Sequence, residues 1–302
     1  MKCSICIPTL NAAAYIGRLI QGLKSQTVLC EIMVIDSSSK DSTVAIAASL
    51  GARTIIIPKE HFDHGGTRNL AVRHASGDII VFFTQDALPV NEYALANLIK
   101  PFYNNEKIAA AYGRQIPHTD ATAFAVHLRF FNYREASYVV SIEDNERGIK
   151  APFLSNSFAA YRRKALEEIG CFREKMIMGE DMYAGAKLLL AGYKIAYVAD
   201  AVVYHSHDYT VLQEFKRYFD IGVFHKTERW IRQEFGNTEG QGMKYVTSGL
   251  HFLVKEQKAH LIPEFALRAS MKYLGYTMGY HFERLPKSII PTLSMHHRWW
   301  HT

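Results

Sequence analysis

No stretch of this chain approaches the ~18 consecutive apolar residues that a membrane-spanning helix needs. The start, Met1-Lys2-Cys3-Ser4-Ile5-Cys6-Ile7-Pro8, has one lysine and a short apolar run closed by Pro8, unlike a secretory signal. Cysteine is scarce as well: Cys3, Cys6, Cys30 and Cys171 are the whole supply. These absences predict a protein kept in the cytoplasm with its thiols reduced. Blocks of Lys or Arg are missing, which argues against a nucleic-acid partner. Internal repeats and low-complexity tracts are missing too. The 35 Lys+Arg against 29 Asp+Glu leave a net charge of +6, a modest excess that suits a phosphate-bearing substrate or an anionic membrane surface. With 302 residues, 48% apolar and 21% charged, the chain has a globular composition that excludes disorder and can bury a core without staples.

Cys3-x-x-Cys6 has the spacing of redox and zinc pairs, which sit in turns or at helix starts where their sulfurs converge. Here the pair falls inside an apolar run, and its odd offset sends the side chains to opposite faces of a strand. Two buried structural cysteines are expected.

Short β-rich runs at 3–7, 31–35, 53–57 and 78–83 alternate with helical patterns at 12–25, 42–50 and 66–75. Asp41-Ser42-Thr43 offers a helix start. Strands separated by helices predict right-handed crossovers and a parallel sheet covered on both faces. A helix at 91–103 and a strand at 108–114 follow, then helices and loops over 118–148. Next come a strand near 157–161, helices at 163–169 and about 180 to 191, the latter ended by Gly192, and strands at 193–198 and 201–205. From 209 onward the pattern is mostly helical. The expected class is α/β with a mostly parallel sheet and a helical C-terminal extension.

In an open α/β sheet, ligands gather in the crevice at the carboxyl ends of the strands. Three such exits read Pro8-Thr9-Leu10-Asn11, Asp36-Ser37-Ser38-Ser39 and Thr84-Gln85-Asp86. Each alone is ordinary turn chemistry; three in succession predict one polar crevice. After the third strand stands Phe62-Asp63-His64-Gly65-Gly66-Thr67-Arg68-Asn69. Paired glycines ahead of a helix would let backbone amides and Arg68 approach a phosphate, although such a pair is more often only a turn. The Walker spacing Gly-x-x-x-x-Gly-Lys is absent. Asp86 beside a diphosphate would repel it unless a hard divalent cation stood between them. Glu180 and Asp181 open a helix, where acids offset the dipole. A carboxylate there that projects into the crevice is also placed as a general base. His205 and His207 share a strand face, and one of them is expected to join Asp86 on the cation.

The runs Ser4-Ile5-Cys6-Ile7-Pro8-Thr9-Leu10-Asn11 and Val34-Ile35-Asp36-Ser37-Ser38-Ser39-Lys40-Asp41, with Gln85-Asp86 and Gly179-Glu180-Asp181, resemble inverting family 2 glycosyltransferases. The match spans about residues 3–207 in order and spacing. The 62–69 segment is similar to the rhamnosyltransferase branch that uses dTDP-L-rhamnose. The resemblance implies a Rossmann-like catalytic domain of the A type over 1–208 and a mostly helical extension over 209–302. It implies that Pro8, Thr9, Asn11, Ser38 and Gln85 line the nucleotide-sugar pocket. Asp36 would bind the pyrimidine base, and Arg68 the base or diphosphate. Asp86 stands where the last acid of the family's Asp-x-Asp metal motif is found. Thr84 replaces the first acid, which gives His205 or His207 a larger part in holding Mg2+ or Mn2+. Asp181 falls at the catalytic-base position, with Glu180 as second candidate. The implied reaction removes the proton of an acceptor hydroxyl as it attacks the anomeric carbon, and inverts configuration. A β-linked donor would give an α-L-rhamnoside.

The extension gives weaker signals. Leu267, Met271, Leu274 and Met278 recur at 4, 3 and 4, one helical stripe. As core, this stripe packs a helix on the catalytic domain. With Arg268, Lys272, Arg284 and Arg298-Trp299-Trp300, the segment also has the make-up of one that rests on anionic lipid. The resemblance implies a glycan acceptor, lipid-linked, in bacterial cell-surface polysaccharide or lipopolysaccharide synthesis, and peripheral contact with the cytoplasmic face of the inner membrane. Residues 118–156, with Tyr133, Arg134, Tyr138 and Asn156, are the expected acceptor surface. Two other readings share parts of the pattern. Nucleotide-sugar pyrophosphorylases carry a comparable Gly-Gly loop, but directly after the first strand, where this chain has Thr9-Leu10-Asn11. A non-catalytic sugar-nucleotide-binding protein would have no need of both Asp86 and Asp181.

Overall fold

The computed structural model describes residues 1–236 and 240–301, the side chains of 145 and 146 excepted. β1 (Cys3–Thr9), α1 (Ile16–Lys24), β2 (Glu31–Asp36), α2 (Thr43–Ser49), β3 (Arg53–Ile56), α3 (His64–His74) and β4 (Ile79–Phe83) alternate as the periodicity predicts. Then follow β5 (Leu88–Pro89), α4 (Ala94–Asn104), β6 (Ile108–Ile116), α5 (Ala123–Asn132), β7 (Tyr138–Val140), β8 (Phe158–Arg162), α6 (Arg163–Glu168), α7 (Glu180–Leu190) and β9 (Lys194–Tyr204). The extension holds α8 (Val211–Thr227), α9 (Arg229–Phe235), α10 (Gln241–Lys255), α11 (Ile262–Tyr280) and α12 (Ile290–Leu293).

The sheet runs β3-β2-β1-β4-β8-β6-β9-β5, with β7 also on β9. β1 to β4, β6 and β9 share one direction; β8 runs against both its neighbours, and β5 and β7 against β9. The sheet is thus mostly parallel, with the reversed β8 in its centre. Cys3, Ile5 and Ile7 enter the core on one face and Cys6 the core on the other, as the period-2 pleat requires. Burial pushes the Cys6 thiol up to about 12, which leaves it unreactive at neutral pH.

Local chemistry sets the element ends. Asp41, not Ser42, satisfies the start of α2, accepting from the Thr43 N–H at 3.1 Å. Gly192, at φ 82°, reverses the chain after α7. Two strand expectations need correction. Residues 193–198 and 201–205 form one strand, because a register shift against β6 between Gly113 and Arg114 absorbs the irregularity. β7 lies inside the stretch expected to be helices and loops; the two-residue β5 has no counterpart among the expected strands.

The extension packs on the sheet's α3/α7 side, where Phe219, Val223, Phe224 and Ile231 join its core. α8 and α11 approach closely at glycines: a Cβ on Gly275 or Gly279 would lie 2.4 or 1.9 Å from the carbonyl oxygens of Phe215 and Phe219. This contact turns α11 away from the expected stripe. Its buried residues are Phe265, Lys272, Gly275 and Gly279, whereas Leu267 and Leu274 are 53% and 47% exposed. Arg268 and Lys272 reach inward to Glu214, at 3.4 and 3.3 Å. Trp299 and Trp300 pack against the core, Trp300 beside Phe219 and Phe282. Most of the basic and aromatic set expected to face lipid between 263 and 300 is therefore turned inward. Among the described residues, no helix is long and apolar enough to cross a membrane.

Candidate active site

The exits of β2, β1 and β4 are neighbours in the sheet, so their polar residues meet. Asp36 is fully buried; its Oδ2 accepts from Thr9 Oγ1 at 3.1 Å and Ser39 Oγ at 2.5 Å, and its Oδ1 from the Ser39 N–H at 2.8 Å. Gln85 Oε1 accepts from the Leu10 N–H at 3.0 Å, tying the β4 exit to that of β1. Asn11 joins the β2 exit, accepting from the Lys40 N–H at 2.9 Å. Asn11 and Ser38 sit at φ 49° and 58°, the left-handed region that costs a serine more than an asparagine. The Ser38 hydroxyl donates to the Ile57 carbonyl at 2.8 Å. Thr9, Asn11, Asp36, Ser38 and Gln85 thus belong to one rim, with Pro8 in β1 beneath it. Ser37 Oγ and Thr84 Oγ1 are buried with no hydrogen-bond partner among the described residues.

The short β5 pairs Leu88 with Tyr204 at the end of β9, and this brings Asp86 to the two histidines. Asp86 Oδ1 lies 3.6 Å from His205 Nε2 and Oδ2 lies 3.7 Å from His207 Nδ1. Ligand atoms of all three fall within 4.8 Å of one another. Both histidines, not one, therefore approach the carboxylate. Gln115 identifies the His205 tautomer. Its Oε1 lies 2.6 Å from Arg129 Nη1, a group that only donates, so the atom is the amide oxygen. His205 Nδ1, 2.7 Å from that same oxygen, must carry the ring proton. Nε2 then turns a lone pair toward the carboxylate, and burial holds His205 well below its usual proton affinity. A lone pair facing an anion is repulsive unless a cation joins them, so these residues fit a divalent metal.

In the 62–69 segment the start of the helix is capped by the chain's own carboxylate. α3 begins at His64, and the Asp63 carboxylate caps it by accepting from the Gly66 N–H at 2.6 Å. Gly65 is needed because a Cβ there would lie 2.0 Å from the Arg173 carbonyl oxygen. Glycine serves close packing, and the helix N-terminus already has its anion. Arg68 is buried, its Nη1 3.1 Å from Glu180 Oε1 and donating to the His64 carbonyl at 2.9 Å.

Glu180 and Asp181 open α7 beside Asn156, which lies just ahead of the reversed β8. Asn156 Nδ2 donates to Glu180 Oε1 at 3.0 Å, and the Asn156 N–H to Asp181 Oδ2 at 3.2 Å. Burial, and then the neighbouring Glu180 charge, push Asp181 up to about 7. A half-buried carboxylate in this range can accept a proton at neutral pH.

Sequence reasoning missed Arg217, Arg129 and Gln115. Arg217 on α8 is half-buried, rests 5.9 Å from the Tyr209 ring centroid, and has no hydrogen-bond acceptor or ion-pair partner among the described residues. Its charge lowers the proton affinity of His205 and His207 on one side and of His64 and His296 on the other. Its charge is thus felt both at the metal-type cluster and at the histidines beside Glu180. A lone arginine on an amphipathic helix carries no sequence signal of this.

Residues 4–170 match the family model described as glycosyl transferase family 2. The chain is 46% identical to the O-antigen chain rhamnosyltransferase RfbN of Salmonella typhimurium, covering 99% of this chain and 96% of the relative. It is 43% identical to the O-antigen chain rhamnosyltransferase WbaN of Salmonella anatum, over 98% and 95%. The mannosyltransferase PcManGT from Pyrobaculum calidifontis, solved with GDP-Man and Mn2+, has the same fold at a TM-score of 0.65 and 16% identity, covering 94% of this chain and 88% of that one. The TarS 1-349 structure from S. aureus superposes at 0.58 with 19% identity, over 98% and 84%. Fold, site and similarity agree: this chain belongs to glycosyl transferase family 2.

Proposed function

We propose that the protein transfers L-rhamnose from dTDP-β-L-rhamnose, with inversion, to a hydroxyl of a lipid-linked glycan acceptor in O-antigen synthesis. The observation that carries this reading is a convergence. The Asp36 rim, the Asp86–His205–His207 cluster and Asp181 gather at one end of the sheet, in a chain nearly half identical to O-antigen rhamnosyltransferases over almost its full length. Pro8, Thr9, Asn11, Asp36 and Ser38 hold the nucleotide, and Gln85 keeps two of their loops together. Arg68 retains one buried N–H without a partner, at Nε, for the base or diphosphate. Asp86, His205 and His207 hold Mg2+ or Mn2+, which supplies charge to offset that developing on the departing diphosphate. Arg217 faces the same diphosphate as a forked donor. Asp181 accepts the acceptor hydroxyl's proton as the new bond forms on the face opposite the leaving group.

Residues 1–208 carry donor binding and catalysis in this reading, and 209–302 add Arg217 and the acceptor side. Peripheral contact with the cytoplasmic face of the inner membrane falls to the outer face of α10. That helix contains no acidic residue and exposes Met243, Leu250 and Val254 beside Lys244 and Lys255. The test is transfer from dTDP-β-L-rhamnose to lipid-linked glycan extracted from membranes, with the product anomer read by NMR. An α-linked rhamnoside supports the reading; a β-linked product, or no product, contradicts it.

A further inference from the structure

The adjacent carboxylates of Glu180 and Asp181 are held in different ways. Glu180 is buried in the first turn of α7, its Oε1 engaged by Arg68 Nη1 at 3.1 Å and Asn156 Nδ2 at 3.0 Å. Asn156 is fixed in turn, because its Oδ1 accepts from the Tyr161 hydroxyl at 2.8 Å. The guanidinium of Arg68 lies over the Phe82 ring, 5.8 Å from its centroid. So clamped, Glu180 is not placed to meet an acceptor hydroxyl. Nor is the pair a strong source of stability, since desolvating two ions offsets most of their attraction. What the clamp does is hold a negative charge on the residue next to Asp181, while the Asn156 backbone orients the Asp181 carboxylate.

We propose that Glu180 is a positioning residue for the base: locked by Arg68 and Asn156, it keeps a buried carboxylate next to Asp181 and helps fix the Asn156 backbone whose N–H orients the Asp181 carboxylate. The inference rests on reading Asp181 as the base. Burial opposes the charge of Glu180, but Arg68, His64 and Asn156 together outweigh it and hold the carboxyl below its usual range. Asp181 takes the opposite course, raised by burial and by Glu180. Two neighbouring acids with divided proton affinities are the arrangement that separates a working base from its electrostatic support. The other titratable groups facing the pair are Arg68 and His64 on α3, Tyr161 on β8, Tyr133 beyond α5, and His296 in the C-terminal tail. None of these is a carboxylate.

The experiment is a carbon-13 NMR titration of the full-length protein labelled at its aspartate carboxyls, with Asp181→Asn used to assign the resonance. In the wild type the Asp181 signal titrates near pH 7. In Glu180→Gln its midpoint falls by about one pH unit or more, because the repelling charge is gone while Arg68 remains. In the Arg68→Met/Glu180→Gln double variant, which leaves no unpaired buried charge, the midpoint lies between the two. The acid limb of the rate of dTDP release from dTDP-rhamnose moves in the same order. A wild-type midpoint in the ordinary aspartate range overturns the proposal, as does a midpoint unchanged in the double variant. If Glu180→Gln fails to fold, the double variant alone carries the comparison. Undiminished transfer by Asp181→Asn would instead defeat the base reading, and the titration tells the two failures apart.

Discussion

Gln115 and His205 meet at 2.7 Å, and that contact decides which way the imidazole works. With the proton held on Nδ1, the lone pair on Nε2 is committed toward Asp86. Gln115→Leu removes the acceptor that fixes this tautomer and leaves Arg129 short of a partner. Divalent metal affinity is expected to weaken about 10–100-fold, the usual cost of losing such an outer partner. Mn2+ titration followed by electron paramagnetic resonance measures it, and an unchanged dissociation constant would contradict the tautomer argument.

The ligand set itself predicts a preference. One carboxylate with two imidazoles is a softer environment than the all-oxygen shells Mg2+ favours, so Mn2+ should restore a chelator-stripped protein at lower concentration than Mg2+. Asp86→Ala and His207→Ala should each raise the Mn2+ concentration needed for half-maximal transfer. Equal recovery with both metals would show that the histidines stay outside the coordination shell.

Arg217 is a cation with no hydrogen-bond or ion-pair partner among the described residues, and its charge acts on His205 and His207 as well as on His64. Arg217→Ala is expected to lower kcat/KM by about 10²-fold, the scale of losing one charge-stabilising donor. Thermal stability should hardly change, because no partner is left behind. Arg217→Lys should recover only part of the loss, since an ammonium cannot make the forked contact. Full activity in Arg217→Ala would remove the residue from the site.

Glu214 binds two cations in the interior of the extension, Arg268 and Lys272, and Lys272 also donates to the Tyr245 hydroxyl at 2.7 Å. Glu214→Ala leaves the buried Lys272 without an ion-pair partner among the described residues, while Arg268 keeps Glu264 at 2.8 Å, and should destabilise the protein by about 3 kcal/mol. Leu267→Asp, on the exposed side of the same helix pair, should cost within about 0.5 kcal/mol. Urea denaturation compares them, and a reversed order would mean that α11 packs through its leucines after all.

The contrast between these two substitutions shows where sequence reasoning stopped. The stripe Leu267, Met271, Leu274 and Met278 satisfies helical periodicity, yet α11 packs through Gly275 and Gly279, which carry no apolar signal. The crevice was readable because its cues are local: Thr9, Asp36 and Thr84 each mark the point where an apolar strand turns polar. Strand pleat predicts that His205 and His207 meet, and they do approach one site, although both lie past the end of β9 at Tyr204. Strand direction leaves no such mark, so nothing in Phe158–Arg162 announces that β8 runs backwards between β4 and β6. That reversal puts Asn156 beside α7. The partnership of Arg68 with Glu180 joins residues far apart in the chain, and only packing of α3 against α7 creates it. The sequence shows Arg68 only as a forked donor after two glycines, with no mark of the carboxylate it meets.

Whether Asp181 is the base of a dTDP-rhamnose-dependent transfer is read from the release of dTDP from a panel of nucleotide sugars with Mn2+. Wild-type protein should turn over dTDP-β-L-rhamnose in preference to UDP-glucose, UDP-N-acetylglucosamine and GDP-mannose. Its rate should fall about tenfold per pH unit below about 7, as Asp181 takes up the proton it must be free to accept. Asp181→Asn should bind the same donor undiminished while losing about 10²–10⁴-fold in rate. Undiminished turnover by Asp181→Asn, or no preference for the rhamnose donor, would contradict the account.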